Sequence, residues 1–427
     1  MKIGIQTWGS EGDVRPLLAL ASGLAGEGHR VTVFATTSPQ DAYGRIASTS
    51  GFVFSTVGDD LSATLTKDEL LSVCFDVPNP LRQAELLARH AFDPFEPEIF
   101  RAAVQLCRDR DLVVGHFFLY PLRLAAAAAG VPWASVCFAH NCMPSFHIPP
   151  PGLPRLGPWL NPVGWRLVRK LVSRIFLPRV NRLAHTMGFP PFKDVMTEVW
   201  ASEFLTLMAV SPSLCARPPD WPPGHRVCGF LTPPDDGIGE PLSADLWNFL
   251  ADGPPPVYFT FGSMIPDDPV RAAGTLDLWR EAAGLARCRA IFQTSAAVNP
   301  PFRSHRETFV LSRSPHRKVF SQCAAVVHHG GAGTVQTALL SGCPSVVVAH
   351  LADQFFWGAE LQRNGVAPKP LVRKNLAPAK LARAIRQVLD EPAMKARAEE
   401  LKLKMQEEDG VGTAVKWIEE AHETRPT

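Results

Sequence analysis

Short apolar runs alternate with longer amphipathic stretches along this chain, and that alternation predicts its architecture. Residues 2–7 form an apolar run and a Gly-rich loop follows at 9–12. Leu17, Leu18, Leu20, Ala21 and Leu24 then recur at helical spacing until the glycines at 26 and 28, and 29–35 reads as the next strand. The same unit returns as a strand at 112–114, a helix at 122–129 and a strand at 133–138. A doubly wound parallel sheet is the expected fold of this first half. Ten prolines lie between Cys215 and Pro256, a composition that breaks helices and disfavours central strands. The pattern restarts beyond them, with strands at 257–261, 289–293, 308–311, 324–328 and 345–348 and helices at 270–286 and 334–340. The expected organisation is a first α/β domain over 1–217, a Pro-rich linker over 218–256, a second α/β domain over 257–408 and a terminal helix over 409–427.

Composition narrows the function classes. A chain of 427 residues with 46% hydrophobic and 20% charged residues has material for two cores. A net charge of +2 offers no global attraction to nucleic acid, so none is expected as a partner. Nine cysteines, with no CxxC pair, fit neither a disulfide framework nor a zinc site and point to a reducing cytoplasm. The opening residues read as a strand rather than a signal peptide, and no apolar stretch reaches the ~18 residues of a membrane span.

The most informative segment is 325–334, where an apolar run enters His328-His329-Gly330-Gly331-Ala332-Gly333-Thr334 and then a helix. Glycines let a ligand approach the backbone, and free N–H groups with the positive helix end favour a phosphate there. Asp353 and Gln354 follow the next strand, a carboxylate and an amide able to accept and donate hydrogen bonds to vicinal sugar hydroxyls. Ser263, in the Gly262-Ser263-Met264 turn after another strand, stands at a third strand end.

At these residues the sequence resembles the family 1 inverting nucleotide-sugar glycosyltransferases, closest to their sterol glucosyltransferase and antibiotic glycosyltransferase branch. The resemblance rests on WGSEGDVRPLLALA at 8–21, FGSM at 261–264, SPHRKVFSQCAAVVHHGGAGT at 314–334 and DQFFWG at 353–358. It implies the GT-B fold, two Rossmann-like domains facing a central cleft, with acceptor bound by the first and donor by the second. It implies His329 and His328 at the donor diphosphate, Gly331, Ala332, Gly333 and Thr334 beside them, Asp353 and Gln354 on the sugar, and His316 beside the nucleotide base. The terminal helix would return to the first domain. Two departures, Val335-Gln336 after Thr334 and Ala349 in place of a common proline, bear on the identity of the sugar.

Displacement at an anomeric carbon needs a base for the acceptor hydroxyl and stabilisation of the departing diphosphate. Asp13, in the first loop, is the base by resemblance to the antibiotic branch; a plain first-turn carboxylate is the alternative. His116 ends a strand of the same sheet, so either Asp13 is the base or His116 is, oriented by Asp13. The acceptor pocket is expected at Phe117, His140 and Phe146, among many aromatics of the first half. Residues 155–182 hold seven basic and no acidic residues and read as a basic amphipathic helix. Such a helix lies on an anionic membrane surface, covers the acceptor pocket, or packs on its own domain with a solvated basic face.

The function expected is transfer of a hexose, glucose from UDP-glucose or a sugar from a TDP-sugar, to a sterol, lipid or polyketide hydroxyl, without metal or cofactor. The location expected is the cytoplasm, at the inner face of a membrane if the basic helix docks there. The alternative is a non-catalytic nucleotide-sugar-binding partner of another transferase. An NAD-dependent oxidoreductase is disfavoured, because 9–12 lacks GxGxxG spacing and no acidic residue ends the second strand.

Overall fold

The computed structural model describes residues 1–37, 41–58, 67–75, 77, 79–150, 153, 157–232, 241–295 and 307–425. Backbone contacts divide the chain into two units, one of Met1–Thr64, Ala84–Pro234 and Glu408–Thr427, the other of Leu65–Gln83 and Asp235–Glu407. Each is built on a parallel sheet.

The first sheet comprises β1 (Lys2–Trp8), β2 (Arg30–Thr36), β3 (Val53–Thr56), β4 (Leu112–His116), β5 (Trp133–Cys137), β6 (Leu205–Met208) and β7 (His225–Val227), in the order β3-β2-β1-β4-β5-β6-β7. Its central strands β4 and β5 are buried throughout, which is why they read as unbroken apolar runs rather than alternating ones. The second sheet comprises β8 (Val257–Thr260), β9 (Ala290–Gln293), β10 (Thr308–Leu311), β11 (Ala325–His328), β12 (Ser345–Ala349) and β13 (Leu371–Val372), in the order β10-β9-β8-β11-β12-β13. In both sheets the strand order reverses direction at one place, between β1 and β4 in the first and between β8 and β11 in the second. Loops leaving neighbouring strands there go to opposite faces and leave a crevice at the carboxyl ends, where ligands of such folds bind.

The division differs from the sequence boundaries in three places. Residues 65–83 cluster with the second unit, where Asp68 accepts the backbone N–H groups of Asp267 and Asp268 ahead of the helix Pro269–Ala286. The Pro-rich stretch also supplies β7, whose residues 225–227 pair with β6 at the sheet edge, a position that tolerates nearby prolines. Asp220 and Trp221 of that stretch hold the 140–148 loop through Ser145, Phe146 and the Pro144 carbonyl.

The last helix, Gly410–Glu423, belongs to the first unit. Ala414, Val415 and Ile418 enter its core beside the first helix, Glu11–Gly26, where Val411 lies so close to Gly23 that a Cβ there would clash. His29 and Arg226 pair with Glu419 and Glu420, each at 2.9 Å. No helix among the described residues is long and apolar enough to cross a membrane.

Candidate functional site

At the first crevice, β1 ends in Trp8 and turns through Gly9 into the helix Glu11–Gly26. Gly9 has φ +121°, and a Cβ there would lie 2.5 Å from Asp13 Oδ2, so both conformation and space require glycine. Asp13 folds back over the helix start, its Oδ2 accepting the N–H of Ser10 at 2.9 Å and the Ser10 hydroxyl at 3.0 Å. The other oxygen, Oδ1, lies 3.6 Å from His116 Nε2 at the end of β4. His116 Nδ1 accepts the N–H of Phe118 at 3.2 Å. A neutral His116 therefore carries its proton on Nε2, aimed at Asp13.

Aromatic side chains wall this pair. The His116 ring packs against Phe117 at 4.6 Å and Phe138 at 5.4 Å, and Phe117 meets Trp200 edge-on at 5.1 Å. Phe118 extends the wall to Trp8, Phe92 and Phe176 at 5.0 to 5.6 Å. Of the three expected pocket residues only Phe117 touches His116. His140 is buried against Trp221 at 5.1 Å, and Phe146 is exposed, its backbone tied to Asp220 and Asn161. Sequence reasoning missed Trp8, Phe176 and Trp200 as part of this wall. Trp8 had a signal, since it immediately precedes the Gly-rich loop; the other two come from distant segments.

At the second crevice, β11 runs fully buried into His328 and His329. His328 Nδ1 accepts the N–H of Gly330 at 3.0 Å, so its N–H is Nε2, a buried donor with no partner among the described residues. Burial, aided by His329, pushes the His328 imidazole down to about 3, and burial, aided by His316, pushes His329 down to about 4. The His329 ring is held between two glycines. A Cβ on Gly331 would fall 2.3 Å from Nε2, and one on Gly262, which has φ +55°, would fall 2.8 Å from Cε1. Gly331 then caps the helix Ala332–Leu340 with no side-chain cap, and the first intrahelical bond runs from Val335 N–H to Gly331. The N–H groups of Ala332, Gly333 and Thr334 thus face outward from a positive helix end, an arrangement suited to a phosphate.

The remaining expected residues sit around this turn. Ser263 is exposed in the short turn Gly262–Met264 after β8. His316 opens the helix His316–Phe320, donates to Gln293 Oε1 at 2.9 Å and stacks on Phe320 at 4.9 Å. Asp353 is an exposed carboxylate in the first turn of the helix Ala352–Arg363. Gln354 Oε1 accepts the N–H groups of His350 and Leu351 at 2.7 and 3.0 Å. A residue three positions into a helix caps it this way, which leaves only the amide N–H groups of Gln354 to donate. His350, overlooked in the sequence, is buried at the end of β12, where burial holds it well below the ordinary histidine range and Nδ1–H donates to Val348 at 2.8 Å. A histidine at the end of the apolar run Val346-Val347-Val348-Ala349 was the available signal. Among the described residues no group of three or more His, Cys, Asp or Glu side chains could hold a metal ion.

Residues 308–416 match the family model of the C-terminal domain of erythromycin biosynthesis protein CIII-like proteins. Over the whole chain, the sequence is 31% identical to O-mycaminosyltylonolide 6-deoxyallosyltransferase of Streptomyces fradiae, covering 100% of this chain and 99% of that protein. It is 30% identical to a sterol 3-beta-glucosyltransferase of Arabidopsis thaliana, covering 97% of this chain and 67% of that one. Among solved structures, the kitacinnamycin glycosyltransferase superposes with a TM-score of 0.69 at 18% identity over 98% of both chains. The glycosyltransferase VinC in complex with dTDP superposes with a TM-score of 0.63 at 20% identity over 100% of both chains. With two Rossmann-like units of the GT-B type and a full-length match above 30%, the chain belongs to the family 1 glycosyltransferases, alongside enzymes of antibiotic and sterol glycosylation.

Proposed function

We propose that this glycosyltransferase moves a hexose from a nucleoside diphosphate sugar, UDP-glucose first and a TDP-sugar second, to a hydroxyl of a hydrophobic acceptor such as a sterol, lipid or polyketide, with inversion. The observation that carries the reading is the turn after β11, where neutral buried histidines, paired glycines and an uncapped helix N-terminus make a site for an anion. Asp13 Oδ1 takes the proton of the acceptor hydroxyl as its oxygen attacks the anomeric carbon. The bond from that carbon to the diphosphate breaks on the opposite side, and the electron pair leaves with the diphosphate. His116 acts as a positioning residue, because its one lone pair on Nδ1 is engaged by Phe118 while Nε2–H faces Asp13. This favours Asp13 over His116 as the base.

The N–H groups of Ala332, Gly333 and Thr334 and the Nε2–H of His328 stabilise the departing diphosphate, with His329 against it. Asp353 and the Gln354 amide hold sugar hydroxyls, His316 and Ser263 flank the nucleotide, and no metal is needed. The names of the relatives include both a 6-deoxyallosyltransferase and a glucosyltransferase, which supports a hexose as the group moved, and the complex of VinC with dTDP supports a nucleoside diphosphate donor. The aromatic wall beside His116 suits a flat apolar acceptor. An acceptor of this kind partitions into membranes, so peripheral membrane contact through 155–182 belongs to the same reading.

The deciding experiment supplies the full-length protein with UDP-glucose or TDP-glucose and a panel of sterols and polyketide aglycones, with products identified by mass and anomeric configuration. An inverted glycoside is the expected product. Binding of both nucleotide sugars without transfer or hydrolysis would replace the reading with that of a non-catalytic partner.

A further inference from the structure

The helix Asn161–Thr186 carries two unlike faces. Trp165, Ser173, Phe176, Val180 and Ala184 are buried against the first unit. Three of its cations serve that packing: Arg169 pairs with Asp194 at 2.8 Å, Arg179 with Asp93 at 2.8 Å and Arg182 with Glu96 at 3.0 Å. The opposite stripe is different. Val163, Arg166, Leu167, Lys170 and Arg174 follow one another at helical spacing and are all exposed, and among the described residues Arg166, Lys170 and Arg174 make no ion pair.

Just before the helix, Trp159 is 91% exposed and Leu160 53%, in line with Val163 at 58% and Leu167 at 55%. An open groove of about 720 Å³ runs beside the stripe, lined by Arg166, Lys170, Arg174 and Lys193 together with the paired Arg169 and Asp194. Isolated exposed apolar residues are ordinary, but four large ones contiguous with unpaired cations on a helix without acidic residues are not. A free phosphate would use the cations and gain nothing from Trp159 or Leu167. An anionic bilayer uses both, since Trp and Leu enter the headgroup boundary while Arg and Lys reach phosphates.

We propose that this stripe is a docking surface for a membrane rich in anionic phospholipid, with Trp159, Leu160, Val163 and Leu167 inserted and Arg166, Lys170 and Arg174 on the headgroups. The sequence stretch 155–182 begins partly outside the described residues, and the structure narrows the contact to one face of its helix. The inference rests on the membrane part of the functional reading and not on catalysis.

The test is sedimentation of the full-length protein with phosphatidylcholine vesicles that contain or lack 30% phosphatidylglycerol, in the presence and absence of inorganic phosphate. The wild type is expected on the anionic vesicles at low salt, with release at high salt and no competition from millimolar phosphate. The triple substitution Arg166→Gln, Lys170→Gln and Arg174→Gln should weaken binding on the order of 100-fold, from ~1 kcal/mol per cation. Trp159→Ala with Leu167→Ser should weaken it about tenfold. Both variants should keep the wild-type circular dichroism spectrum and the wild-type rate toward a water-soluble acceptor, which separates docking from transfer. Failure of the wild type to sediment, unchanged binding by the triple variant, or displacement by phosphate would each overturn the proposal.

Discussion

The two crevices occupy the same topological position in their sheets yet hold opposite chemistry. At the first, a partly exposed carboxylate, Asp13, stands opposite a histidine whose proton is directed at it. At the second, His328, His329 and His350 are all driven neutral by burial, and the positive character comes from backbone N–H groups at a helix start. In the proposed function, one edge accepts a proton and the other accepts an anion without storing a charge of its own. The strand order supplies the crevice in both cases, while the residues leaving β1, β4, β8 and β11 decide what it does.

The sharpest way to break this contrast is Asp13→Asn, which keeps size and the fold-back onto Ser10 but removes the base. Transfer is expected to fall on the order of 10³-fold with donor KM nearly unchanged, read by steady-state kinetics. An equal loss of donor affinity would mean that the two crevices do not divide the work. His329→Ala should act at the other edge, lowering kcat by about 10²-fold and weakening nucleoside diphosphate binding, which calorimetry with UDP and TDP would measure.

His116 sharpens the first half of the comparison. His116→Gln can still donate toward Asp13 and should cost about tenfold or less, whereas His116→Ala should cost about 100-fold, and a glutamine that fails to rescue would return His116 to the role of base. The smallest effect concerns pH. His328 and His329 ionise near 6.5 when unfolded but only at about 3 and about 4 when folded. Their depressed folded values mean that their stabilisation is complete above about pH 6.5 and is lost progressively as pH falls from there to the folded values of about 4 and about 3, because over that range the unfolded chain takes up protons that the folded chain refuses. Thermal unfolding between pH 7.5 and 4 should show the midpoint falling over that window, and His329→Asn should flatten the slope.

Much of this was legible beforehand because it is written locally. The run Ala325–His328 followed by glycines and a helix announces its strand, its turn and its helix start in consecutive residues. Asp13 was equally readable, since a carboxylate at the start of an amphipathic helix has few places to be. The capping bonds of Gln354 Oε1 were not legible, because they depend on the fold-back of the side chain onto His350 and Leu351 and not on its place in the sequence. The assembly of the aromatic wall was not legible for another reason. Trp8, Phe118, Phe176 and Trp200 are far apart in the chain and share no period, so nothing short of the packed domain brings their rings within 5 to 7 Å.

Alone, the sequence determined the two α/β halves, since hydrophobic periodicity and turn glycines are local properties of the chain, and its motifs at 8–21, 261–264, 314–334 and 353–358 carried the resemblance to the family. Tertiary structure decided the tautomer of His116, the assignment of 65–83 to the second unit, the return of 410–423 to the first and the division of the basic helix into a packed face and an open one. Each of these depends on which distant groups compete for a hydrogen bond or for burial, and that competition is resolved only when the chain has closed on itself.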